Sequence, residues 1–196
     1  MTTYPSPEVR GPPARAAVRT SASRETLNGR RHLRFVQLFM IVVLAHWAEH
    51  VFQAVQIWVL GWQRPQALGA IGQVVPGLVS SEWLHYGYAV VMLVGLIVLR
   101  HGFTGRARSW WLAALAIQVW HHFEHVLLLS QALAHHPLFG AEQPTSIIQL
   151  LAPRVELHLF YNAVVFTPMV FAVYLQYMAR PAASGRARPR QHGGAA

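Results

Sequence analysis

Residues 32–62 read HLRFVQLFMIVVLAHWAEHVFQAVQIWVLGW. A run of this length and apolarity exceeds the roughly 20 residues that a helix needs to cross a bilayer. Yet it carries His46-Trp47-Ala48-Glu49-His50 near its middle. The pattern H-x-x-E-H returns in a second apolar run as His121-His122-Phe123-Glu124-His125, and each copy is followed by valine. Positions i, i+3 and i+4 share one side of a helix, so each copy points two imidazoles and a carboxylate in similar directions. Ionisable groups at membrane depth are costly unless paired, metal-bound or facing a polar cavity. Two copies make an accidental origin improbable.

Working outward, the chain is 54% hydrophobic and 12% charged, about half the charged share of an ordinary soluble domain. That composition predicts an all-α integral membrane protein. Four spans follow from the apolar runs, at about 32–62, 82–100, 109–133 and 154–178. Trp58 and Trp62 suit the outer interface, and Ser80 or Ser81 caps the second span. Pro153 suits the first turn of the fourth, and Pro168 inside it predicts a kink. The connection at 63–80 carries Pro65 and Pro76 and reads as an outer loop.

Charge placement sets the topology. The formal net charge is +9, and every arginine except Arg64 and Arg154 lies in or beside residues 1–31, the RHGFTGRAR loop or residues 180–196. This is a positive-inside pattern and not a nucleic-acid groove. It predicts an antiparallel four-helix bundle with both termini cytoplasmic, in the plasma (inner) membrane of the cell. Residues 1–31 and 180–196 read as disordered basic tails around a membrane domain at 32–179. The first tail lacks the apolar core of a signal peptide. Arg30-Arg31 resembles a twin-arginine signal, but the run behind it is too long.

The missing residue types narrow the chemistry. There is no cysteine, hence no disulfide, thiolate ligand, cysteine-held cluster or attached c-type haem. Lysine is absent, which removes Schiff-base chemistry. Aspartate is absent too, so every acidic side chain is a glutamate.

The candidate ligands are His46, Glu49, His50, Glu82, His85, His121, Glu124, His125 and His158, with at least one histidine from each span. Gln53 and Gln56 continue the first cluster along its helix, and Gln118 precedes the second by one turn. Glu82-x-x-His85 has the i, i+3 spacing used in four-helix di-metal proteins. Glu156 points about 160° away from His158, so its convergence is open. His135 and His136 read as solvated loop residues. At about 1.5 Å per residue, His50 and His125 lie roughly 15 Å from the outer ends of their spans, and His85 and His158 lie roughly 5–8 Å in. One shared cavity opening outward, or two sites at different depths, both satisfy that.

Imidazole and carboxylate ligands suit zinc, iron, manganese or copper(II), and glutamate can bridge two ions. The number of convergent groups exceeds what one tetrahedral ion uses, so two transition-metal ions are expected. The resulting expectation is a di-metal oxidoreductase acting on an apolar or lipid-like substrate. In it Glu49 and Glu124 bridge or shuttle protons, and Tyr161 or Asn162 orients the substrate. The alternatives are a metal carrier or transport component, which would need a homodimer or a larger complex, and a b-type haem protein. A His–Glu network serving only to hold helices together, or an accessory subunit, completes the set. Over five residues each cluster resembles the H-x-x-E-H of inverzincin peptidases, which implies zinc on the two histidines and a catalytic glutamate. Membrane desaturases and hydroxylases also gather histidines around two irons on helices. Their H-x-x-H-H boxes are missing here, so that likeness is one of chemistry.

Overall fold

The computed structural model describes residues 28–29, 31–79 and 81–178. The described residues form helices and turns, with no strand among them. Four helices are long and apolar enough to cross a membrane. They are α1 (His32–Trp58), α2 (Glu82–Leu99), α3 (Gly105–Ala134) and α4 (Arg154–Val173). A 3-10 turn, Arg100–Gly102, extends α2, and a π turn, Tyr174–Met178, extends α4. Most of both predicted tails lies outside the described residues. Asn28 is an exception, since its amide donates to the Val98 carbonyl at 3.1 Å.

The boundaries differ from the apolar runs in two places. α1 stops at Trp58, short of residue 62, because Gly61 takes a left-handed φ of 70°. The reversal brings the Trp62 N–H back to the Gln56 carbonyl at 2.9 Å, which satisfies an orphan helix-end acceptor. α3 starts at Gly105, so part of the basic loop is helical. The 63–80 connection is itself partly helical, with short helices at Gly69–Val74 and Pro76–Val79. Ser81 caps α2 by accepting from the Trp83 N–H at 3.2 Å, while Ser80 lies outside the described residues. Pro153 sits at the cap of α4, one position earlier than expected, and α4 continues through Pro168.

α3 packs along both α2 and α4, and α1 packs on α4 and α2. One end of this interior is apolar and dry, filled by Val36, Phe39, Val43, Met92, Leu96, Trp111, Val165 and Met169. Trp111 is fully buried there, and its indole N–H donates to the Leu96 carbonyl at 2.9 Å. His32 closes that end, lodged between the Leu99 carbonyl and the Tyr177 hydroxyl. At the other end the interior is lined by histidines. α1 and α2 come into tight contact where Gly95 faces the ring of Phe39, with no room for a Cβ. Gly95→Val should therefore lower stability by about 1–3 kcal/mol through overpacking, read as a depressed thermal midpoint of the detergent-solubilised protein.

Candidate metal centre

Six histidines converge where the C-terminal halves of α1 and α3 meet the N-terminal turns of α2 and α4. Ring centroids lie 4.6 Å apart for His46–His50, 4.5 Å for His121–His125 and 4.8 Å for His50–His158. His85 is 6.4 Å from His50, 6.3 Å from His125 and 5.9 Å from His158. Ligating atoms of His121, His125 and His158 all fall within 4.8 Å of one another. His50, His125 and His158 are buried.

The orientation of three of the six rings follows from the other nitrogen. His85 donates Nδ1–H to the Ser81 carbonyl at 3.0 Å, and His158 to the Arg154 carbonyl at 2.8 Å. His50 Nδ1 donates to Gln53 Oε1 at 2.7 Å. In a neutral imidazole this leaves Nε2 as a bare lone pair aimed inward, the arrangement of metal-binding histidines with an outer hydrogen bond. Nε2 of His158 is buried and has no hydrogen-bond partner. Within each i, i+4 pair the two Nε2 atoms face each other, at 3.1 Å for His46/His50 and 3.2 Å for His121/His125. A tetrahedral ion with metal–nitrogen bonds of about 2.0–2.1 Å holds neighbouring nitrogens roughly 3.3 Å apart. The same separation serves either a hydrogen bond between the two imidazoles or a shared ion.

The glutamates go elsewhere. Glu49 Oε1 accepts from the Ile71 N–H at 2.8 Å and the Gly72 N–H at 3.3 Å, tying the Gly69–Val74 helix to α1. Glu124, 2% exposed, accepts from the Ile148 N–H at 3.3 Å. Its Oε2 stands 3.8 Å from His121 Nδ1 and has no hydrogen-bond partner. Glu82 forms a two-pronged ion pair with Arg154, both prongs 2.6 Å. Glu156 pairs likewise with Arg64, whose pKa the carboxylate raises above its ordinary value. The only two arginines outside the basic segments are therefore accounted for as partners of acidic side chains near the cluster. Of the predicted ligands, the structure brings together the six histidines and directs Glu49 and Glu82 away from them. Glu124 reaches only the outer side of His121. Of the predicted orienting residues, Tyr161 stacks on His121 at 4.1 Å, and Asn162 donates to the His158 carbonyl at 2.8 Å.

Superimposed on this is an internal repeat that the twin clusters only partly announced. The pattern H-x-x-E-H-V-x-x-x-x-Q runs from His46 to Gln56 and again from His121 to Gln131, and H-x-x-Y follows at His85/Tyr88 and His158/Tyr161. Matching residues do matching work. Gln56 Oε1 accepts from Gly69 N–H at 2.8 Å, while Gln131 Oε1 accepts from Leu138 N–H and Thr145 N–H at 2.9 and 3.1 Å. Tyr88 stacks on His46 at 3.5 Å, as Tyr161 does on His121. Tyr88 and Gln131 are thus site residues that the sequence reading did not name, while Gln56 was placed beyond the first cluster without a partner. The repeated glutamine and tyrosine spacings were the available signal.

Two cavities of about 370 Å³ each reach the cluster. One passes Arg64, Pro153 and Arg154 to His50, His85 and His158. The other runs sideways between α1 and α2 and ends at His46, His50 and Tyr88. In comparisons with known proteins, no family model, no curated protein and no solved structure matches the chain.

Glu49 as a clamp on backbone amides gives a testable outcome. Glu49→Ala should lower stability by about 1–3 kcal/mol, the cost of leaving N–H groups unsatisfied, and leave the histidine chemical shifts of the folded protein near wild type. Gly69 holds φ at 78° with its Cα against the Glu49 carboxylate. Gly69→Ala should therefore cost about 1–3 kcal/mol by the same thermal assay.

Proposed function

We propose that this chain is a membrane-embedded metalloprotein whose histidines hold two transition-metal ions, and that it acts as an oxidoreductase on an apolar or lipid-like substrate. The observation that carries the metal reading is the pair of opposed Nε2 atoms in each H-x-x-E-H, joined by the unpartnered Nε2 of His158. A buried ring nitrogen without a partner calls for an ion or water. By the internal repeat the ligands are assigned to two sets, His46/His50/His85 and His121/His125/His158, one for each ion, and the second set has its ligating atoms within 4.8 Å of one another. Neutral imidazoles suit iron, copper or zinc, and a pair of redox-active ions would supply the electron transfer.

The protein's own groups have separate tasks in this reading. Glu124 orients His121 from behind and stands ready to hold a proton at Oε2. Glu49 fixes the outer connection and does not bridge ions. Tyr88 and Tyr161, with buried hydroxyls, face the small space between the two histidine sets and are the groups placed to position a substrate. Asn162 holds the α4 backbone. A b-type haem fits poorly, since it needs an open plane between two axial imidazoles and here other rings occupy that space. The sideways cavity from the span surface favours an enzyme fed from the bilayer over a carrier fed from water.

The spans are proposed to form an antiparallel bundle with both termini cytoplasmic in the plasma membrane, supported by the arginine distribution. The absence of cysteine makes this readily tested. In intact cells a membrane-impermeant maleimide should label Gln143→Cys and spare Ser6→Cys and Ser184→Cys; the reverse pattern would invert the topology.

Metal content of the detergent-purified protein, read by mass spectrometry with an absorption spectrum, tests the central claim. Two ions per chain are expected, one after His125→Ala/His158→Ala, and none after His50→Ala/His125→Ala. No bound ion after reconstitution with iron, copper or zinc would overturn it.

A further inference from the structure

The two halves of the repeat are alike around the histidines but differ on their lipid-facing flanks. On the first half, the groove between α1 and α2 is lined by Ile41, Val42, Ala45 and Leu84 and floored by His46 and Tyr88. Ile41 and Val42 are 60% and 44% exposed in the middle of an apolar span, so the mouth of the groove lies at hydrocarbon depth. Any occupant arriving there comes from the lipid phase. α1 and α2 touch tightly at Gly95/Phe39 and part towards Ala45 and Leu84.

On the second half, the residue equivalent to Ala45, one before the first histidine, is Trp120. Its indole N–H reaches the hydroxyl of Tyr161, the counterpart of Tyr88. α3 and α4 also pack along each other far more extensively than α1 and α2 do. One flank therefore carries a methyl group where the other carries the bulkiest side chain available.

We propose that the α1/α2 groove is a lateral portal that admits the hydrocarbon chain of a membrane lipid to His46 and Tyr88, and that Trp120 closes the matching position between α3 and α4. The inference rests on the reading of the histidine cluster as the reactive site, and it adds which class of molecule enters, from where, and past which residue. The groove volume, about 370 Å³, falls within the range that holds a small ligand or a segment of a longer one. Its mouth is walled by apolar side chains, which suits an alkyl or isoprenoid chain, and its polar groups, Glu49, His50, Gln53 and His85, lie at the inner end. A polar end would lie instead towards His50 and Gln53, which line both cavities.

The test uses the whole chain reconstituted in phosphatidylcholine vesicles with diazirine-bearing palmitic acid as the probe. After illumination, adducts are mapped by peptide mass spectrometry, with metal content measured on the same samples. Adducts on His46 and Tyr88 are expected in the wild type and lost in Ala45→Trp, with labelling of the lipid-facing Val119 retained. Trp120→Ala should gain adducts on Tyr161 and His121, which keeps the proposal testable if Ala45→Trp does not fold. Floor adducts absent from the wild type, undiminished in Ala45→Trp, or no gain in Trp120→Ala would overturn the portal. Metal-free protein that still shows the gated adducts would support the portal while overturning the metal centre, so the two failures are distinguishable.

Discussion

A neutral imidazole taken out of water needs a partner for its N–H, and inside a membrane no solvent supplies one. That requirement shapes this interior. His85 and His158 meet it with the carbonyl four residues earlier in their own helix, and His50 with Gln53. Each solution points Nε2 inward. Two carbonyls at the starts of α2 and α4 and one glutamine thus orient half of the cluster before any ion is considered. The convergence of these nitrogens is a consequence of how the N–H groups are disposed of, and those of His121, His125 and His158 come close enough to hold an ion.

The same accounting explains the loops. Connections that close over a membrane site carry backbone amides that must also find acceptors. Glu49 and Gln56 serve those of one connection, and Glu124 and Gln131 those of the other. The Glu82–Arg154 and Arg64–Glu156 pairs add charge-assisted clamps between elements far apart in sequence. Each pair uses two hydrogen bonds, a geometry that fixes direction as well as distance. The histidines are accordingly held between polar clamps at one end and an apolar core at the other.

Internal repetition gives two copies of this arrangement, and the differences between them are informative. Residues of the histidine cluster match closely: histidine with histidine in the interior, tyrosine stacked on histidine, and glutamate on the loop amides. Residues facing lipid do not, and Ala45 against Trp120 is the largest contrast along the walls of the site.

Four spans, a buried histidine cluster in the middle of two of them, and the exclusion of thiolate or lysine chemistry were determined by the residues alone, because length, apolarity and absent residue types need no partner to be read. The histidines at 46, 50, 85, 121, 125 and 158 were all legible as candidates for the same reason. What the tertiary structure decided was where the carboxylates go. At about 100° per residue the two histidines of H-x-x-E-H lie only about 40° apart, while the glutamate sits about 60° from the first and about 100° from the second. In sequence all three share a side; in the folded chain that arc is wide enough to put the imidazoles in the interior and the carboxylate against the neighbouring loop. Which of those surfaces each residue meets depends on helices that come from elsewhere in the chain, and no spacing along one helix can contain it.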